Sequence, residues 1–241
     1  MHSGLVKIIV FCGLIIFNGV AALAADTNNV SDDDYDADYM LDEGRLLFKA
    51  RGYGIFSNGK QSGLPAPTVA NQSKVEGFVK NGFGFDTAST IFFNDNIGIE
   101  GSLGFQLFRV KSSGLNTVST NYGGAGGVNK RRNLYGIPLS GTVQYHIAPF
   151  GGIRPYLGAG YHFTYMYNKV KQVSVNHGHG PILQAGVDLV AKDDTLITID
   201  VRQYYMKPKV KYKSSFTGAS NIASKVKFDP LIISAGIGFK F

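Results

Sequence analysis

The chain has no tryptophan and a single cysteine among its 241 residues. Cys12 sits inside an N-terminal apolar stretch, so from residue 25 onward there is no thiol and no disulfide can form. Beyond that stretch no apolar run reaches the roughly 20 residues that a membrane-spanning helix needs, which excludes a helical membrane protein. Catalytic signatures are missing too. There is no G-x-S-x-G, and the glycine-rich run Gly123-Gly124-Ala125-Gly126-Gly127 lacks the Lys-Ser/Thr of a phosphate cradle. The histidines after the apolar stretch are His146, His162, His177 and His179. His177-Gly178-His179 reads as part of a solvated loop, and two imidazoles do not make a metal site. These absences leave no enzyme, cofactor or metal among the expected functions.

What is present begins with an export signal. Lys7 precedes a ten-residue apolar core, Ile8 to Phe17, and Ala22-Leu23-Ala24 has the A-x-A form of a cleavage site. The core is too short to span about 30 Å of hydrocarbon, and Asn18 and Gly19 interrupt it. Residues 1–24 therefore read as a secretory signal peptide. Residues 25–43 follow as an acidic periplasmic segment, with eight acidic and no basic residues between Asp26 and Glu43. From Gly44 on, 23 basic residues face nine acidic ones, a net of 23 − 9 = +14. Such a surface favours an anionic partner, and export argues against nucleic acid.

Residues 44–241 carry period-two segments. Leu46, Phe48 and Ala50 alternate with Lys49, Arg51 and Tyr53, and Ile97 to Leu107 alternates with Gly98 to Gln106. The same holds for Ile137 to Ile147, Leu157 to Tyr165, Leu183 to Leu189, Ile197 to Val201 and Leu231 to Phe241, with a weaker segment at Phe83 to Phe93. Alternation predicts strands with one apolar face. Short connectors (Asn94-Asp95-Asn96, Ala148 to Gly152, Lys192-Asp193-Asp194) alternate with loops at roughly 57–81, 111–133, 168–180 and 211–225. That rhythm is the one of an up-and-down membrane barrel with short periplasmic turns and long extracellular loops. A soluble β-sandwich would also alternate, but charges on the non-lipid face are foreign to a sandwich core. The expected fold is thus all-β: an eight-stranded antiparallel up-and-down transmembrane β-barrel in the bacterial outer membrane. Ile237, Phe239 and Phe241 form an aromatic ending of the kind read by the outer-membrane insertion machinery, an expected partner.

Several motifs, in order, resemble the OmpW family of outer-membrane proteins. They are Phe92-Phe93-Asn94-Asp95-Asn96-Ile97-Gly98-Ile99-Glu100, Ile137-Pro138-Leu139 through Gln144-Tyr145-His146, and Ile153-Arg154-Pro155-Tyr156-Leu157-Gly158-Ala159-Gly160. Ala185-Gly186-Val187-Asp188, Ile199-Asp200-Val201-Arg202 and Phe228-Asp229-Pro230 continue the series. The resemblance implies a narrow barrel that passes small hydrophobic molecules.

Strand parity then assigns the interior. Lys49, Arg51, Glu100, Arg154, Asp188, Asp200 and Arg202 face the lumen, mostly in its periplasmic half, where opposite charges must pair because an isolated one is costly. Toward the extracellular side Tyr53, Gly158, Gly160, His162, Met166, Tyr204 and Met206 share the inward parity. Glycines beside Tyr and Met there are expected to leave an apolar recess for solute, unless side chains merely fill the barrel. Strand seven continues outward as Lys207, Lys209, Lys211 and Lys213, with Lys225 and Lys227 on its neighbour. These six lysines are expected to contact lipopolysaccharide in the surrounding outer-membrane lipid. Two functions stay open: a pore for small apolar solutes, or a non-transporting structural or adhesive surface barrel with basic loops that bind lipopolysaccharide.

Overall fold

Each alternating segment becomes a strand, because its apolar positions all point one way. A computed structural model describes residues 46–57, 60–62, 79–125, 132–147, 152–168, 173–192, 195–218 and 222–241. The expected signal peptide and acidic segment lie outside these residues. In chain order the strands are β1 (Leu46–Phe56), β2 (Lys60–Ser62), β3 (Val79–Phe92), β4 (Ile97–Val110), β5 (Arg132–His146) and β6 (Ile153–Asn168). They continue as β7 (Val173–Val175), β8 (Gly178–Lys192), β9 (Thr195–Tyr204), β10 (Lys209–Tyr212), β11 (Ile222–Lys227) and β12 (Leu231–Lys240). Two helices, α1 (Ser112–Asn121) and α2 (Ser214–Thr217), lie among them. Eight strands close into one antiparallel barrel in the order β1-β12-β9-β8-β6-β5-β4-β3, with β1 paired to both β12 and β3. A second sheet, β2-β11-β10-β7, stands at one end.

The outward parity is apolar and bare. On β9, Ile197, Ile199 and Val201 are exposed while Leu196, Thr198, Asp200, Arg202 and Tyr204 are buried. Phe85 at 62%, Leu157 at 59% and Val143 at 55% are among the most exposed members of a belt that runs round the barrel. So large an apolar surface is stable only against lipid. Aromatic side chains mark its ends: Phe93, Tyr145, Phe239 and Phe241 below, and Phe83, Tyr161, Phe163 and Tyr205 above. At the lower end the connectors are tight. The Asn94 carboxamide oxygen accepts from the N–H groups of Asn96 (3.0 Å) and Ile97 (2.7 Å), so the side chain itself closes the β3–β4 turn.

The upper connectors differ from their sequence reading. The segments expected to be loops hold β2, α1, β7 and the β10–α2–β11 run. The physical reason lies in the same alternation. Lys209 and Lys211 are exposed while Val210 and Tyr212 are buried, and Lys225 and Lys227 are exposed while Ser224 and Val226 are buried. The pair β9–β12 thus continues upward as β10–β11, and the ladder bends where Pro208 and Pro230 lack a donor. Carbonyl groups of those prolines still accept, from Val226 N–H (3.1 Å) and Tyr204 N–H (3.1 Å). Asp229, at φ +22°, helps the bend, its carboxylate accepting from Met206 N–H at 3.0 Å. Within α1, Leu115 and Val118 recur at helical spacing and are buried. The Ser119 hydroxyl donates to the Phe216 carbonyl, tying α1 to α2. Gly218 (φ +68°) ends α2, and a β-carbon there would press on the Gly123 carbonyl oxygen at 2.9 Å.

Candidate functional site

The lumen is built in layers. At the lower mouth Leu47, Phe92 and Leu196 form a small apolar floor. Above it lies a belt of buried charge: Lys49, Arg51, Arg154 and Arg202 against Asp86, Glu100, Asp188 and Asp200, four cations and four carboxylates, each no more than 4% exposed. These are all the buried Asp, Glu, Lys and Arg among the described residues, so the formal charge of the belt is zero. Inward parity on six different strands brings them together, and burial demands that they pair.

Arg51 is the hub. Its Nε donates to Asp86 at 2.8 Å, one terminal nitrogen to Asp200 at 2.8 Å and the other to Glu100 at 3.2 Å. Arg202 bridges the same aspartates from the other side, at 2.6 Å to Asp86 and 3.2 Å to Asp200. The planar guanidinium fork makes such multiple bridging possible. Lys49 donates to Asp188 at 2.9 Å and sits 4.5 Å from the Tyr156 ring centroid. Arg154 lies across from Asp188 in the β6–β8 ladder, donates to the Asp95 carbonyl and rests over the Phe92 ring at 4.8 Å. Neutral groups fill the remaining positions. Gln184 donates to Glu100 (3.3 Å) and Asp200 (3.1 Å), and its carbonyl accepts from Thr142 and Gln144, each at 3.2 Å. Tyr156 and Ser234 also donate to Asp200.

The seven charged residues that parity assigned to the lumen are all in this belt. Asp86 completes it and went unrecognised in the sequence. Its signal was present: Phe83, Phe85, Ile91 and Phe93 fix the outward parity of β3, which leaves Asp86 inward. The supporting Gln144, Gln184, Thr142 and Tyr156 carry the same parity and no other mark.

Above the belt the lumen turns apolar. Tyr53, Ile55, Phe108, Leu134, Met166, Ile182, Tyr204 and Ile232 come from the barrel wall and are all buried. The same cluster takes in Met206, Val210, Tyr212 and Phe228 from the rim, Leu115 and Val118 from α1, and Phe216 from α2. Phe228 packs edge-on against Phe108 at 5.0 Å. The second sheet and the helices therefore seal the top. Of the expected solute-path residues, Tyr53, Met166, Tyr204 and Met206 join this cluster, and His162 stacks on Tyr204 at 4.4 Å. The two glycines do not border an apolar recess, contrary to expectation. A β-carbon at Gly158 would meet the Gln144 and Gln184 side chains at 3.2 and 3.4 Å, and one at Gly160 would overlap the Gly141 carbonyl. Gly158 thus faces the polar layer, and Gly160 serves the close approach of β5 and β6.

An open groove borders this cluster from the side. A cleft of about 570 Å³ lies between residues 165–167 of β6 and residues 174–177, in and just after β7. Met166, 3% exposed and part of the lumen cluster, is among the residues that border it, its backbone N–H donating to His177 Nδ1 at 3.4 Å. His177 borders the cleft from the link between β7 and β8 and is exposed, as the loop reading expects, while His179, also exposed, falls on β8. His177 stacks on Tyr165 at 4.3 Å, and His179, in the first turn-free residues of β8, shares a 2.6 Å hydrogen bond with the Tyr161 hydroxyl. No cluster of three or more metal-ligating side chains occurs among the described residues. All six rim lysines, Lys207, Lys209, Lys211, Lys213, Lys225 and Lys227, are exposed on the outward face. Ile237, Phe239 and Phe241 also point outward, toward the expected lipid.

Comparison with known proteins agrees with this architecture. A protein of Rickettsia bellii (strain RML369-C), named as an outer membrane protein, is 47% identical over 236 residues, covering 97% of this chain and 96% of its own. A Pseudomonas aeruginosa protein named as the dibenzothiophene metabolism operon protein PahQ is 29% identical over 104 residues, 42% of this chain and 48% of its own. Among solved structures, the outer membrane protein OprG from Pseudomonas aeruginosa superposes with a TM-score of 0.64 at 17% identity, covering 83% of this chain and 96% of that one. The family model for the OmpW family matches residues 42–241. With its closed eight-stranded barrel and its lipid-facing belt, the chain belongs to the OmpW family and is an outer-membrane protein.

Proposed function

We propose that this barrel transfers small apolar solutes across the outer leaflet by a path that ends in the side of the wall, not along the barrel axis. The observation that carries this reading is the layering: an apolar upper lumen set on a belt of eight buried charges, with Met166 of that lumen bordering the lateral cleft. An apolar solute gains by entering among Tyr53, Met166, Tyr204 and Met206. It has nothing to gain from entering the belt, where it would separate paired charges at a cost of several kcal/mol. The lateral cleft, level with Val210 and Lys211 on the neighbouring strand, opens instead just above the aromatic end of the belt, and its volume is in the range of small-molecule sites. A relative named for a dibenzothiophene metabolism operon is in keeping with an apolar cargo.

The filled lumen favours a second reading, a barrel that transports nothing and serves as a surface scaffold. The two separate in cells of a Gram-negative host, using the apolar fluorophore N-phenylnaphthylamine as probe. Expression is expected to raise its entry rate severalfold. Val175→Trp, which fills the cleft from a half-buried position, is expected to abolish the gain at equal levels of folded barrel. Equal entry with and without the protein would leave only the scaffold.

A further inference from the structure

A second surface lies on the outer face of the upper sheet and meets the cleft at Ser174. The six elements above the barrel, β2, β7, β10, β11, α1 and α2, contain five lysines and no acidic residue. These lysines are grouped by register. Lys209 and Lys225 are direct cross-strand partners, as are Lys227 and Lys60. Lys211 is flanked across the ladder by Ala223 and Ser174, small and exposed, which leaves space around the ammonium groups. Asp229, 3.3 Å from Lys227, bounds the group below. Like charges set directly opposite weaken a ladder, so this arrangement is at its best with an anion between them.

The location identifies the anion. The lysine face continues the lipid-facing parity of β9, from Ile197, Ile199 and Val201 through Tyr205 to Lys207, Lys209 and Lys211. The lysines therefore stand on the flank of the barrel, directly above lipid, and not on its summit. At about 3.4 Å per residue and a tilt near 40°, Lys207, just before the bend at Pro208, lies roughly 5 Å above Tyr205, and Lys209 follows beyond it. That height is the headgroup region just outside the hydrocarbon. We propose that this face is a docking site for lipopolysaccharide of the outer leaflet. Lys209, Lys211, Lys225 and Lys227 hold its phosphates, while its acyl chains run down the wall below Tyr205. Lysine suits this role as a compact point charge, and the paired register offers two ammonium groups to one phosphate. A soluble polyanion would gain nothing from the continuity with a lipid-facing wall.

The test uses the folded barrel in neutral bicelles and purified lipopolysaccharide as probe, and is independent of solute transfer. The native protein is expected to bind it and to rise in Tm. Binding should weaken about fivefold for each lysine replaced by glutamine at 209, 211, 225 and 227, and should fall with added salt. The four-arginine variant is expected to retain it. Enzymatically dephosphorylated lipopolysaccharide should give no Tm rise. Undiminished binding by the glutamine variants, undiminished binding of the dephosphorylated lipid, or tighter binding of soluble heparin than of lipopolysaccharide would each overturn the proposal.

Discussion

The lower and upper halves of the lumen solve the same problem by opposite means. Below, Arg51, Arg202 and Lys49 are locked to Asp86, Glu100, Asp188 and Asp200 by directional bonds, and the space is filled by charge that cancels. Above, Phe108, Leu134, Ile182 and Ile232 fill the same cross-section with undirected apolar contact that runs on into α1, α2 and the second sheet. The difference teaches where the barrel is rigid and where it can open. Paired charges in a low-dielectric interior must move together or not at all. Apolar side chains can be displaced by another apolar molecule at little cost, and flexible Met166 and Met206 are suited to repacking.

The strongest way to break this contrast is at the hub. Arg51→Met leaves Asp86, Glu100 and Asp200 short of their shared partner. The expected loss is about 4–5 kcal/mol, or failure to refold, measured by denaturant unfolding in detergent. A loss below about 1 kcal/mol would show that the belt does not act as a unit. Leu134→Ala in the upper layer removes only apolar contact and is expected to cost about 3 kcal/mol. It should also speed opening of the cap, seen as faster hydrogen exchange in α1 with β4 and β5 below the belt level unchanged. Exchange rising equally throughout the barrel would erase the distinction between the halves. The smallest effect is expected outside the lumen: Lys227→Ala breaks the exposed pair with Asp229 and should change stability in detergent by less than about 1 kcal/mol.

The same contrast explains what could be read from the sequence. The belt was legible because two simple facts fix it: period two sets which side chains face inward, and buried charges must pair. Arg51 and Asp200 lie far apart in the chain, yet parity alone sends both to the lumen. Asp86 escaped only because the alternation around it is weak, with glycine at 82 and 84 and Thr87 on the outward face. The cap was not legible in the same way. Leu115, Val118 and Phe216 sit in polar surroundings, SSGLNTVSTN and SSFT, that look like loop. They are buried in one cluster with Phe228, Tyr212 and Val173 at the lumen mouth, which no local pattern encodes. The role of Gly158 and Gly160 was misread for a related reason. A glycine's missing side chain reads as space, but here neighbouring strands and glutamines already occupy it.

The account stands most directly on one measurement: ionic conductance and apolar-solute transfer recorded on the same reconstituted barrel. A filled charge belt beneath a lateral exit requires that solute reach the lipid while no steady ion current crosses the bilayer, and that Val175→Trp stop the transfer without altering the silent baseline. A stable single-channel current that the apolar solute blocks would place the path along the axis, through the belt, and contradict the account.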